Sequence, residues 1–232
     1  MPVAGVQFPA FAGLEPNLPS AQPLPASIDT PGVTRAEQSV VKVSSLGCGG
    51  IVTGSGYPIG NGFVVTNAHV VSGTTSHSII TPGNATLRAS VVYFDPDRDV
   101  AVLRVADYNA PALVVGPAGA GTQGAVIGYP GGGAEKVVAA VVDGSVAAQG
   151  YDLYHQHLVT RQIYVIQATV RPGNSGGPLV DLQGRVLGMV FATSASDPNQ
   201  AYALTDDEIA SDIRDAQSNP SPKDTSRYEC AA

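Results

Sequence analysis

Between residues 39 and 204 the chain is a succession of short Val- and Ile-rich runs, each closed by Gly, Pro, Asn or Asp. Runs of this length, bounded by turn formers and rich in β-branched residues, read as strands. One set occupies 39–45, 50–54, 62–66, 77–81, 85–94 and 99–105. A second occupies 124–128, 136–142, 163–168, 178–180, 186–192 and 201–204, and the break between the sets falls near 116–121. Two successive sets of about six strands with no helix between them predict an all-β protein built from two antiparallel barrels, an architecture that leaves no strand edge open.

The flanks read differently. Residues 1–35 hold Pro2, Pro9, Pro16, Pro19, Pro23, Pro25 and Pro31 with little apolar periodicity. Proline removes a backbone donor and fixes φ, so this segment is expected to be an extended arm or linker, free to wrap on the folded body. Beyond the last strand, Thr205 and Glu208 form a T-x-x-E capping box, Ile209, Ile213 and Ala216 follow at helical spacing, and Asn219, Pro220 and Pro222 stop the pattern. The expected organisation is therefore an arm over 1–35, a first barrel over 36–118, a second over 119–204, and a C-terminal helix and tail over 205–232.

Composition narrows the function. With 12 Lys and Arg against 19 Asp and Glu, the net charge is −7, which disfavours nucleic acid and anionic membrane surfaces as partners. No apolar run reaches the length of about 18 residues that a membrane helix needs, and no basic-then-apolar leader opens the chain. An export signal or membrane anchor is expected to lie outside these residues.

Three segments carry chemistry. In Arg171-Pro172-Gly173-Asn174-Ser175-Gly176-Gly177-Pro178-Leu179, glycines flank a serine. A serine hydroxyl is a weak nucleophile until its backbone presents it and a base takes its proton. The amides of Gly173 and Ser175, with Asn174 between them, can converge on one oxyanion. Read alone, the segment is equally a Gly-rich turn. In Thr66-Asn67-Ala68-His69-Val70-Val71, a histidine follows the end of a strand in the first barrel, 106 positions before Ser175. A cleft between the barrels would join the two. In Asp97-Arg98-Asp99-Val100-Ala101-Val102-Leu103, Asp99 heads an apolar strand and is the candidate for fixing the base's tautomer, with Asp97 as the alternative.

The order His, Asp, Ser, with T-N-A-H-V-V, D-V-A-V-L and P-G-N-S-G-G-P-L, resembles the trypsin/chymotrypsin superfamily of serine proteases, and within it the bacterial HtrA/Deg-like branch. Gly54-Ser55-Gly56, Ile127-Gly128-Tyr129-Pro130 and Gly184-Arg185-Val186-Leu187-Gly188-Met189 add to the likeness, which covers roughly 39–206. The resemblance implies a chymotrypsin-like double barrel and a serine endopeptidase. Its triad would be His69, Asp99 and Ser175, with an oxyanion hole at Gly173, Asn174 and Ser175, no cofactor, and protein or peptide substrates. The resemblance within that branch implies a periplasmic domain, membrane-anchored through a segment outside this chain and serving acid or oxidative stress resistance; a monomer is expected. An exported protein meets an oxidising compartment, so Cys48 and Cys230 are expected to form one long-range disulfide; two free buried thiols are the other reading.

Departures from the family sharpen the expectations. Residue 174 is Asn where digestive relatives carry an Asp that pairs with a newly cut N-terminus, so activation by such cleavage is not expected. An ungapped alignment puts uncharged Thr169 near the floor of the primary specificity pocket and Phe191, Ala192 and Thr193 along its side, which disfavours a basic P1 residue and suits a small or medium apolar one. The usual C-terminal peptide-binding PDZ module does not follow the last strand within these residues. His155-Gln156-His157 with Asp152 is a weak metal pattern without a supporting cluster, and no metal is expected. Gly131-Gly132-Gly133 lacks the Lys and following helix of a phosphate loop and reads as a hairpin or specificity loop. The rival to an enzyme is a silent scaffold on the same fold, with all three triad residues in place but a distorted oxyanion loop.

Overall fold

Tight hairpins with left-handed residues join the first three strands. The computed structural model describes residues 15, 16 and 18–231. Strand β1 (Val41–Gly47) turns into β2 (Gly50–Gly60) through Cys48 and Gly49, at φ +53° and +77°. β2 turns into β3 (Phe63–Thr66) through Asn61 and Gly62, at +52° and +74°. Two central residues at positive φ match the right-handed twist of paired strands, and Asn-Gly is the pair best suited to it.

β4 (Thr74–Ile80), β5 (Thr86–Asp95) and β6 (Val100–Val105) complete the first six strands, which pair in the closed order β1-β2-β3-β6-β5-β4. The second six are β7 (Gln123–Gly128), β8 (Lys136–Tyr151), β9 (Leu158–Gln167), β10 (Pro178–Asp181), β11 (Val186–Thr193) and β12 (Gln200–Thr205). Their closed order is β7-β8-β9-β12-β11-β10, the first barrel's topology repeated. Every pairing is antiparallel, and alternation such as that of β1 puts Val41, Val43 and Ser45 inside while Lys42 and Ser44 are less buried.

A shared core joins the barrels: Tyr57, Phe63, Val65 and Val102 of the first pack in one cluster with Ile127, Val165, Met189 and Leu204 of the second. Helix α2 (Asp206–Ser218) lies over that seam. It starts as its capping box predicts, Thr205 accepting from the Glu208 amide, and buries Ile209 and Ala216. Glu208 accepts from Arg98 of the first barrel and from the Gln162 amide of the second, so the helix ties both.

Several boundaries differ from expectation; β4 begins at Thr74 and β9 at Leu158, before the expected 77 and 163. Pro31–Glu37 form a helix, α1, across the end of the expected extended arm. Thr30 caps it and Pro31 takes its first turn, where a missing N–H costs nothing. α1 sits so tightly on the β10–β11 turn that a Cβ on Gly32 would stand 2.2 Å from Gln183 and one on Gly184 2.2 Å from Gly32. The described part of the arm before it lies on the second barrel, with Leu18 and Ile28 against the shared core and the Ala21 amide donating to Asp143. Its first fourteen residues and Asn17 lie outside the described residues. β2 continues past the expected 54 to Gly60, and β8 runs nine residues past 142 to make, with β9, a long hairpin standing beyond the barrel.

Cys48 and Cys230 are bonded across a sequence separation of 182. The tail they hold is knitted to the first barrel: the Gly73 amide donates to Thr225, whose hydroxyl donates to the Thr74 carbonyl. A loop of that length loses about 5 kcal/mol of unfolded-state entropy in the chain-entropy model, and removal of native bridges costs about 2–5 kcal/mol. Cys230→Ser is expected to lower the urea unfolding free energy within that range and to open residues 221–231 to proteolysis. An unchanged midpoint would make the bridge dispensable.

Candidate active site

The end of β3 and the start of β6 hold their side chains next to each other because the two strands pair, Thr66 opposite Ala101. After β3 the chain makes one 3-10 turn, Ala68–Val70, with His69 in its middle. Asp99 precedes β6 at φ +60°, a left-handed conformation uncommon for a residue with a Cβ. The turn is held by its hydrogen bonds: the Asn67 amide group donates to the Asp99 carbonyl at 2.8 Å, and the His69 N–H to Asp99 Oδ1 at 2.9 Å. Asp99 Oδ2 then meets His69 Nδ1 at 2.7 Å. Both are buried, His69 at 2 % and Asp99 at 5 % exposure. The carboxylate fixes Nδ1 as the protonated nitrogen, which leaves the Nε2 lone pair available as a base. Nε2 is buried and, among the described residues, has no hydrogen-bond partner.

Ser175 comes from the second barrel, in the loop before β10, and is 3 % exposed. It faces the first barrel directly: its carbonyl accepts from the Ser55 N–H at 2.7 Å. Within the loop the amides divide into two groups. Asn174 donates to Arg171 O, Gly176 to Val190 O and Gly177 to Asn174 O. Among the described residues, nothing accepts from the amides of Gly173 or Ser175. Gly173 is required as glycine, with φ +98° and a Cβ position 2.3 Å from the Tyr129 carbonyl. Asn174, with its own N–H engaged, separates the two free donors, and its side-chain oxygen accepts from the Arg171 amide.

Ser55 was quoted in the sequence only as part of a motif; the structure gives it a task. Its fully buried hydroxyl donates to the Gly173 carbonyl at 2.7 Å and accepts from the Tyr129 N–H at 2.9 Å. That bond turns the Gly173 carbonyl toward the first barrel. The Thr66 hydroxyl donates to the Ser55 carbonyl, which braces β2 against the strand that leads to His69. Gly54 and Gly56 are small for a reason: a Cβ on Gly54 would press into Val70 at 2.6 Å, and one on Gly56 into Val64 at 2.8 Å.

The expected specificity residues lie on two segments of the second barrel, Thr169 between β9 and β10 and the other three in β11. Thr169 is exposed, its hydroxyl donating to Asn199 Oδ1, and it borders a cavity of about 650 Å³ with Pro130, Lys136, Val137 and Arg171. Phe191 and Ala192 are buried in β11 and Thr193 is half-buried; none of the three borders that cavity. Asp97 lies beside His157, 3.1 Å away, while Asp99 holds His69. Asp97, Asp152 and His157 together offer three ligand atoms in one place. Asp152 already has partners: burial works to raise its pKa, and the backbone amides of His157, Gln156 and Tyr154 outweigh it and hold the carboxylate ionised. His155 of the same motif is outside this group and packs against Tyr151.

The profile of the trypsin-like peptidase domain matches residues 48–189, more than half of the chain, and the chain belongs to that family. It is 40 % identical over 203 residues to "Serine protease Rv3671c" of Mycobacterium tuberculosis, covering 85 % of this chain and 51 % of that protein. A "Probable periplasmic serine endoprotease DegP-like" of Halomonas elongata is 32 % identical over 75 % of the chain and 35 % of its own length. The chain thus spans about half the length, or less, of these relatives. Among solved structures, the Rv3671c protease in its active form superposes with a TM-score of 0.87 at 38 % identity, covering 95 % of this chain and all of that one. An inactive form of the same protease gives 0.76 at 39 % identity, over 85 % and 98 %.

Two predictions follow from the loops around Ser175. Ser55→Ala would leave the Tyr129 N–H buried without an acceptor, a cost of about 1–3 kcal/mol. It is expected to lower stability by that amount and to slow fluorophosphonate labelling of Ser175 at least tenfold, since the Gly173 peptide loses its anchor. Labelling at the wild-type rate would show that the loop holds its shape unaided. Glu135 follows the Tyr129–Gly133 loop that cradles Gly173, and burial, then the charge of Glu37, push its carboxyl up from 4.5 to about 8. Across that window the unfolded chain has lost a proton that the folded chain keeps, so stability is full below about pH 4.5 and declines as pH rises to about 8. Glu135→Gln is expected to flatten that part of a urea-midpoint profile; an identical slope in both proteins would assign the decline to another group.

Proposed function

We propose that this chain is the protease domain of an exported serine endopeptidase, with Ser175 as nucleophile, His69 as general base and acid, and Asp99 as the carboxylate that orients it. The observation that carries the reading is the buried Asp99–His69 pair at 2.7 Å, with Nε2 left unpartnered and a serine presented by a loop whose two alternate amides are free.

His69 Nε2 takes the hydroxyl proton as Ser175 Oγ bonds to the scissile carbonyl carbon. The carbonyl π electrons move to oxygen, and the amides of Gly173 and Ser175, spaced by Asn174, donate to the resulting oxyanion; one such donor is worth about 3–4 kcal/mol in proteases of this type. When the carbon–nitrogen bond breaks, the imidazolium returns its proton to the leaving amine. Water repeats the cycle on the acyl-enzyme, His69 taking its proton and Ser175 Oγ leaving protonated. Protein or peptide chains are the substrates. Their P1 side chain lies toward Thr169 on one side and Phe191, Ala192 and Thr193 on the other, and an uncharged Thr169 suits an apolar P1 better than a basic one.

The proposed location is outside the cytoplasm, with any membrane attachment through residues beyond this chain; among the described residues no helix is long and apolar enough to cross a membrane. The Cys48–Cys230 bridge and the periplasmic naming of a DegP-like relative support an oxidising compartment. Service in acid or oxidative stress, as a monomer, completes the proposal. A Glu135 that stays protonated up to about pH 8 favours a fold that tolerates acid.

A fluorophosphonate probe, read by intact mass and peptide mapping, tests the chemistry. One adduct on Ser175, absent in Ser175→Ala, is expected at neutral pH, and no adduct would move the silent scaffold to the front. Turnover of a small ester is expected to be weak below about pH 5, because a protonated His69 cannot accept the serine proton. Undiminished turnover there would rule out a simple histidine base.

A further inference from the structure

The long hairpin of β8 and β9 stands beyond the second barrel and reaches the first exactly where the triad's acid and base are held. Its Leu153 N–H donates to the Pro96 carbonyl at 3.0 Å, and the Tyr154 hydroxyl meets the Ser72 hydroxyl at 2.7 Å, three residues after His69. At its base lies Arg161, a cation only 5 % exposed. Arg161 makes its hydrogen bonds to carbonyls: Nε to Asp97 at 2.7 Å and Nη2 to Tyr151 at 2.9 Å. Burying a charge without a contacting carboxylate is costly, and here two carbonyl acceptors offset only part of that cost. Those two bonds give the side chain a structural role, but neutral donors could make them, so the full charge calls for a separate reason.

The surrounding charges suggest one. The carboxylates of Asp99, Asp95, Asp97 and Glu208 act on Arg161, Asp99 most strongly; burial lowers its pKa and they oppose that. The other cation of the turn, Arg98, is already held by Asp95, Glu208 and Asp212. His157 pairs with Asp97 at the surface, and Asp152 lies beside it. Arg161 is thus the buried cation near the triad that no contacting carboxylate neutralises.

We propose that Arg161 is a positioning residue of the triad, which pins the turn before Asp99 from the second barrel and sets a fixed positive charge against protonation of His69. The inference rests on the triad reading above. Two mechanical effects follow from one group: the Asp97 carbonyl, two residues before Asp99, is tied to β9, and the barrel that supplies Ser175 thereby also positions the acid of the barrel that supplies His69.

The test is kcat/KM for an ester substrate against pH, counted per site titrated with fluorophosphonate, in wild type, Arg161→Gln, Arg161→Met and Arg161→Lys. The two neutral variants are expected to lose tenfold or more at the plateau and to shift the acid limb upward by roughly half a pH unit, since removing a nearby cation favours the imidazolium. Arg161→Lys keeps the charge without the planar fork, so it is expected to retain the wild-type limb with part of the rate loss. Neutral variants with a wild-type limb would overturn the proposal, whatever their melting temperatures. So would failure of both to yield any titratable site, because Arg161 would then be required for folding rather than for tuning. A wild-type protein that labels nowhere would instead defeat the triad reading itself.

Discussion

Two barrels can hold the proposed nucleophile and base in register only if something fixes one against the other, and Ser55 does this beside Ser175. Its N–H, hydroxyl and carbonyl reach, in turn, the Ser175 carbonyl, the Gly173 carbonyl and the Thr66 hydroxyl. Each group belongs to the backbone or to a short, fully buried side chain, so little rotamer freedom remains to blur the geometry. The shared apolar core brings the barrels together without direction; these hydrogen bonds give the contact its register. A slip between the barrels would break the bonds to Ser175, Gly173 and Tyr129 together, and the Tyr129 N–H and Gly173 carbonyl would be left buried and unpaired.

The proposed base and acid depend on a second constraint. Asp99 accepts left-handed backbone geometry, and a strained residue persists only where its surroundings over-determine it. Here they do: Asn67 and the His69 amide bind Asp99 itself, Arg98 ties the turn to α2, and Arg161 ties it to β9. The C-terminal helix and the long hairpin are thus part of the site's support, although neither supplies a group to the triad.

The strands could be read from the sequence because their signal is local: β-branched residues in short runs between turn formers. The candidate triad residues could be singled out because each stands in a recognisable string between or beside strands. Where sequence reading stopped, the cause was an interaction between distant residues. Ser55 looked like one more small residue between glycines, and only its contacts 74 and 118 positions away reveal its role. Arg161 carried no signal in a strand otherwise expected to begin at 163; its burial comes from the hairpin's continuation, which no periodicity marked. Helix α1 was different. Thr30 followed by Pro31 is a helix-start signal, and the many prolines around it hid a turn that the β10–β11 loop then stabilised.

Acid affects the fold and the proposed chemistry in opposite directions. Glu135 is neutral in the folded protein well above the ordinary glutamate range, so lowering pH toward 4.5 strengthens the fold around the Gly173 loop. A general base of the proposed kind works only while its lone pair is free, so this contribution to stability and the proposed turnover draw on opposite ends of the pH range. Any group that keeps His69 neutral at lower pH widens the range over which stability and turnover coexist, and a buried cation at the Asp99 turn is physically suited to that because, unlike a histidine or carboxylate, a guanidinium does not change charge across the range.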